Sequence, residues 1–291
     1  MMKVRFTTMS RCVLFGLAAI APAILAQSAN AATINVLTVN TGGVGSFDFL
    51  TGGRFNNVRD SLLNPLNYGE GGIVSDTVNY LPSVTELTST NLSGVDVVLL
   101  AHGASNRSAS ELAALEAFVQ NGGGMLAFGN EVASDLSSIL GSTWGGYRDG
   151  IGIRVSNASS PIANGPFGTF AAGTFTRTSF GSFFREVGEN GTVGITRGGD
   201  PFAATYDFGK GRAAVFLDEE MFVSASLGGA DARWNTTHNA YFNNAFSHVI
   251  PDDDPDSPHP TDVPEPSSLL MLGAAGILGI SGLGLKHRRK Q

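Results

Sequence analysis

The chain has 291 residues, 42% of them hydrophobic and 15% charged, which excludes a disordered chain and supplies enough apolar side chains for a core. Its formal charge of −7 understates the middle: seven of the 18 basic residues lie outside 32–262, leaving 11 basic against 24 acidic side chains there, about −13 net. Such an acidic span disfavours nucleic acid and anionic membrane surfaces as partners.

Residues 1–31 read as a signal peptide. Lys3, Arg5 and Arg11 give a positive start, Val13 to Leu25 an apolar core, and Ala29-Asn30-Ala31 a small-x-small cleavage site. Signal peptidase is therefore the first expected partner, cutting between Ala31 and Ala32. Cys12, the only cysteine, lies inside this segment. A mature chain starting at Ala32 has no thiol, which excludes disulfides, a thiolate nucleophile and Cys-ligated metals.

Residues 32–250 read as one α/β domain. Thr33 to Val39 is a β-rich strand ending at Asn40-Thr41-Gly42-Gly43. Phe55, Val58, Leu62 and Leu63 recur at helical spacing, and Ile73 to Tyr80 offers a second strand. Val95 to Ala101 is a near-continuous apolar run, as burial on both faces demands. Ser108-Ala109-Ser110-Glu111 is a capping box, Leu112, Leu115, Phe118 and Val119 form one helix face, and Gly122 to Gly124 ends it. Met125 to Phe128 is the next strand and Ala133 to Leu140 a short helix. Strands then predominate: Gly150–Val155, Thr192–Thr196, Phe202–Asp207 and Arg212–Asp218, with turns at Gly198-Gly199 and Gly209-Lys210-Gly211. A last helix, His238–Ile250, carries Tyr241, Phe242, Phe246 and Val249, with Thr236 or Thr237 as its cap. The alternation predicts an α/β fold with a mostly parallel sheet flanked by helices.

Several phrases of this domain resemble the class I glutamine amidotransferase-like fold: Val95 to Leu100, Gly122-Gly123-Gly124-Met125-Leu126, Ser160-Pro161-Ile162-Ala163-Asn164-Gly165-Pro166-Phe167-Gly168, and Gly209-Lys210-Gly211-Arg212. The resemblance implies a scaffold and not that activity. Where the family places a cysteine at a sharp turn and a later His-x-Glu, this chain reads Gly129-Asn130-Glu131 and Asp218-Glu219-Glu220, so thiolate hydrolysis of glutamine is excluded.

The expected ligand crevice lies at the carboxyl ends of the strands, gathering Thr41, Gly42, His102, Asn130, Glu131, Asp218 and Glu219. His102 directly ends a buried strand, where a general base or a ligand-contacting group stands, although a histidine there also commonly bonds nearby backbone. Asp218, Glu219 and Glu220 suit a hard cation, but equally a helix start, and the helix start is preferred. No metal and no cofactor is expected. The glycines after residue 40 lack the dinucleotide and P-loop registers, and no Gly-x-Ser-x-Gly elbow is present. Trp144, Tyr147 and Trp234 are candidates for stacking on sugar rings, against an ordinary place in the core.

Residues 251–262 alternate proline with acid and read as a solvated linker. Residues 263–291 begin with Pro264-Glu265-Pro266, continue in an apolar stretch that predicts a transmembrane helix over 267–285, and end in a basic tail, 286–291. This three-part order resembles the PEP-CTERM sorting signal, which in its family is read by exosortase, a membrane protease-transpeptidase, on proteins linked with exopolysaccharide and biofilm matrix. The resemblance implies export, transient residence in the inner membrane, and a cell-surface or extracellular destination. Two functions stand at this point. One is a non-catalytic binding or structural module with a polysaccharide as candidate ligand. The other is an extracytoplasmic hydrolase acting on carbohydrate or peptide through His102 with Glu131 or Asp218.

Overall fold

Pairing of distant apolar runs, rather than local propensity, organises this chain. A computed structural model describes residues 31–40, 48–149, 152–176, 180–224 and 234–252. Residues 1–30, Thr41, Gly42, most of the linker and the whole sorting segment, including the expected membrane helix over 267–285, lie outside the described residues. Among the described residues, no helix is long and apolar enough to cross a membrane.

The first half forms β1 (Thr33–Thr38), β2 (Thr77–Tyr80), β3 (Val97–Leu100) and β4 (Gly124–Phe128). The second half adds β5 (Thr143–Asp149), β6 (Ile153–Val155), β7 (Asn164–Gly165), β8 (Gly168–Thr169), β9 (Phe175–Thr176) and β10 (Phe180–Glu186). It closes with β11 (Gly191–Arg197), β12 (Asp200–Phe208) and β13 (Gly211–Phe216). Nine strands join in the order β2-β1-β3-β4-β13-β12-β11-β6-β9. Pairings from β2 through to β13 are parallel, and those from β13 to β9 are antiparallel.

The sheet is thus mixed, not mostly parallel as expected. The reason lies in the connections. Parallel neighbours need crossovers, whereas β11–β12 and β12–β13 are joined by tight glycine turns, with φ of +98° at Gly199 and +67° at Gly209. Both turns are legible in the sequence; the hairpins they impose set the sheet's second half.

Among the described residues, helices α1 (Asn56–Leu62), α2 (Ala109–Gln120), α3 (Asn130–Leu136) and α4 (Thr236–Val249) flank the sheet. Val58 and Leu62 of α1 and its N-cap residue Phe55 are fully buried, while its C-cap residue Leu63 turns out to solvent. The capping box of α2 forms as expected: Ser108 accepts the Glu111 N–H and Glu111 reaches back to the Ser108 N–H. Helix α4 is capped by Asn235, which accepts from the His238 N–H at 2.9 Å, and not by Thr236 or Thr237. Helix α3 begins at Asn130, three residues before the expected start.

Phe128 and Phe216, from neighbouring central strands, pack edge-on against Phe222 at 5.2 and 5.0 Å, and Phe222 meets Phe242 of α4 at 5.2 Å. Edge-to-face rings of this kind add to the area they bury. The phrase Ser160–Gly168 folds as the small β7–β8 hairpin, held by Asn244: its Oδ1 accepts the Phe167 N–H at 2.8 Å and its Nδ2 donates to the Gly168 carbonyl at 2.9 Å.

Candidate functional site

Three parallel strands end at one edge of the sheet, and each delivers one side chain there. The register sets Leu100 of β3 opposite Ala127 of β4, and Ala127 opposite Val215 of β13. The chain leaves β3 into a short 3-10 turn starting at His102, leaves β4 through Gly129 into α3, and leaves β13 through Asp218 and Glu219. Gly129 has φ +131°, and a Cβ there would stand 2.8 Å from the His102 Cα. Only glycine allows the elbow to approach His102 this closely.

The histidine lies between two carboxylates. Its Nε2 is 3.3 Å from Glu131 Oε2, and its Nδ1 is 3.4 Å from Glu219 Oε2. The two acids differ in setting: the Glu131 side chain is 50% exposed, that of Glu219 only 9%. Burial alone would lower the His102 pKa, but contact with Glu219 and the charges of Glu219 and Glu131 outweigh it, and the net direction is up. Glu219 moves the opposite way: burial would raise its pKa, yet the His102 contact, the imidazole charge and Arg54 bring it down. The pair thus favours imidazolium against carboxylate.

Tyr147 of β5 lies within electrostatic reach of this cluster. Its ring is about half exposed and meets Trp144 edge-on at 5.3 Å. Its phenol pKa is raised by desolvation and by the charges of Glu131 and Glu219, which places both acids within electrostatic reach. Trp144 and Trp234, by contrast, are partly buried against the core.

Of the expected crevice, the structure brings His102, Glu131 and Glu219 together. Asn130 and Asp218 stand beside them in sequence but serve the scaffold. Asn130 is buried and its Oδ1 accepts the Ser182 N–H at 2.7 Å, tying β10 to the elbow. Asp218 is buried against Arg197 at 3.2 Å and also accepts the Glu220 N–H at 2.8 Å. The expected pairing of His102 with Asp218 is therefore corrected to Glu219. Successive residues leaving a strand point to opposite sides, so one acid enters the core and the next reaches the histidine. The Asp218 bond to the Glu220 N–H matches the helix-start reading of the acidic run, and a 3-10 turn does begin at Glu220. Among the described residues, no three His, Cys, Asp or Glu side chains form a group fit to hold a metal ion.

Sequence reasoning missed Arg197. The signal was there: an arginine ending an apolar strand must find a buried partner or leave the core. Here it lies over the Phe202 ring at 4.6 Å and pairs with Asp218.

Residues 262–289 match the PEP-CTERM protein-sorting motif. That motif implies export, processing by exosortase and a membrane-associated sorting signal at the C-terminal end. No curated protein matches the chain by sequence. Among solved structures, a ThuA-like protein from Bacteroides uniformis is similar at 16% identity, with a TM-score of 0.50 over 77% of this chain and 94% of that one. A ThuA-like protein from Parabacteroides merdae is similar at 12% identity, TM-score 0.44, over 78% and 94% of the two chains. A cytoplasmic protein from Salmonella typhimurium is similar at 12% identity, TM-score 0.46, over 75% and 99%. At 16% identity the first of these likenesses is one of fold alone, an α/β domain.

Proposed function

We propose that this chain is an exported protein, sorted by exosortase to the cell surface or extracellular matrix, whose α/β domain is a binding module without glutamine amidotransferase activity. One observation carries the reading of the domain. At the turn after β4, where the amidotransferases that the sequence resembles place a thiol, this chain presents Glu131, its carboxylate 3.3 Å from His102. A carboxylate engaged with an imidazole is a hydrogen-bonding surface and not a thiolate nucleophile.

The chemistry on offer suits a hydroxyl-rich ligand. His102 and Glu131 supply a donor and an acceptor, and the half-exposed Tyr147 ring, within electrostatic reach of Glu131, adds an amphipathic face. A polysaccharide is the ligand class proposed. The test is binding of the purified protein to matrix polysaccharide from its own host, by sedimentation, with His102→Ala and Glu131→Gln beside the wild type. Retention of the wild type and loss in both variants supports the site; equal retention of all three removes it.

Convergence of His102 with Glu131 also favours a second reading, an extracytoplasmic hydrolase. In it the half-exposed Glu131 carboxylate takes a proton from water while His102 positions it from Nε2, and Glu219, at Nδ1, fixes the ring's orientation. Release of reducing ends or peptide termini by the wild type, abolished in His102→Ala, would select this reading over simple binding.

A further inference from the structure

The edge of the sheet opposite His102 holds a groove of about 880 Å³, at the upper end of ligand-sized clefts. It opens where β3, β4 and β13 begin. Leu92 and Phe118 give it an apolar floor, Asn121 and Lys210 a polar rim, and the chain itself lines it at Pro251 and Asp252. Asp96, at its inner wall, is engaged by the Asn35 N–H at 2.7 Å.

The last described residues are fixed as they pass this groove. Arg212 donates to the His248 carbonyl at 2.9 Å and pairs with Asp252. Ile250 is extended, φ −58° and ψ +128°, as the residue before a proline prefers. The chain therefore leaves α4 through an extended residue and is pinned beside the groove at Asp252.

Beyond Asp252 the sequence runs Asp-Asp-Pro-Asp-Ser-Pro-His-Pro-Thr-Asp, residues 253–262. Pro255 and Pro258 have the Pro-x-x-Pro spacing that docks a polyproline II helix on aromatic-floored grooves. Ten residues in that form span about 31 Å, enough to cross a cleft of this size. Charge agrees: Asp253, Asp254 and Asp256 are acidic, and among the described residues no carboxylate pairs with Lys210.

We propose that this groove is the docking surface for the chain's own segment 253–262, prolines on Leu92 and Phe118, aspartates at Lys210. Docking there makes the sorting tail depart from the end of the sheet opposite His102, so that the anchored protein carries its candidate site away from the membrane.

The chain offers its own probe, because Lys210 is the only lysine between Lys3 and Lys286. Carbodiimide treatment of the full chain in detergent, followed by digestion and mass spectrometry, should give an intramolecular Lys210 isopeptide to Asp253, Asp254 or Asp256. Mere tethering could also bring these groups together, so the deciding variant replaces Pro255, Pro258 and Pro260 with glycine. Loss of the prolines' restriction of the backbone should cut the cross-link yield by about fivefold or more. An equal or higher yield in the glycine variant would overturn the proposal, since a random linker cross-links at least as well when loosened. Cross-links found only between molecules would overturn it too, and would make a second copy the occupant.

Discussion

His102 and Glu131 meet at 3.3 Å because β3 and β4 run parallel and their chains turn over the same end of the sheet. Neither residue's neighbours in sequence impose the contact; Gly129 permits it, by letting the β4 turn pass within contact distance of the His102 backbone. The site is thus a property of strand register and one glycine.

Glu219→Gln should lower the His102 pKa. With the Glu219 charge gone, burial is opposed only by Glu131, and the imidazole moves down toward or below its ordinary value of 6.5. Linkage sets the sign for stability. A histidine whose folded pKa is raised contributes stability that is fully present below its unfolded value and lost as pH rises through its folded value. The wild type should therefore lose more stability than Glu219→Gln on going from below pH 6.5 to above the raised pKa. An NMR titration of the imidazole and urea unfolding at both pH values check the two halves of this prediction.

Gly129→Ala should destabilise the domain and disturb the site together. The residue would hold an unfavourable positive φ and place its Cβ 2.8 Å from the His102 Cα. Strain of this kind costs about 1–3 kcal/mol before any displacement is counted. Gly71→Ala is the control: its φ is +80°, but nothing stands within 4 Å of a Cβ there. Urea midpoints should fall further for Gly129→Ala, and only that variant should shift the His102 titration.

Asp218→Asn tests the scaffold beneath Glu219. The Arg197–Asp218 pair is almost completely buried, and removing one charge strands the other, at about 3–5 kcal/mol. The amide can still accept the Glu220 N–H, so the loss reports the charge. Pairing it with Arg197→Met should recover part of the stability, measured as a positive coupling in a double-mutant cycle.

Deletion of residues 263–291 should leave the melting temperature of the domain unchanged. The last anchoring contact seen, Arg212 with Asp252, lies before the cut. A large fall in Tm would mean that the sorting segment is part of the fold.

Much of the scaffold is legible because its signals are local. The apolar run of β3, the capping box of α2 and the aromatic face of α4 each mark their element, although β3 is trimmed from Val95–Ala101 to Val97–Leu100 and α4 begins two residues before the expected His238. Legibility fails where the physics is non-local. The strand expected over Ile73–Tyr80 shrinks to Thr77–Tyr80, since only those residues pair with β1, and Ile73 is exposed. The two-stranded β5–β10 sheet escapes sequence reading because Trp144-Gly145-Gly146-Tyr147 has no alternation to announce a strand, and its partner strand lies some thirty residues on; it carries Tyr147, which feels the charges of Glu131 and Glu219. At the site, composition points to the right acids but cannot say which faces His102. Asp218 and Glu219 differ by one step of a strand end, and that step decides between a core ion pair and the histidine.

Export and sorting are the central claim. The direct measurement is intact mass and fractionation of the protein from its native host, with and without Pro264-Glu265-Pro266 replaced by alanines. The account predicts a mature form that begins near Ala32 and ends near residue 264, found outside the inner membrane and lost in the alanine variant. A full-length C-terminus retained in the inner membrane, unchanged by the replacement, would contradict it.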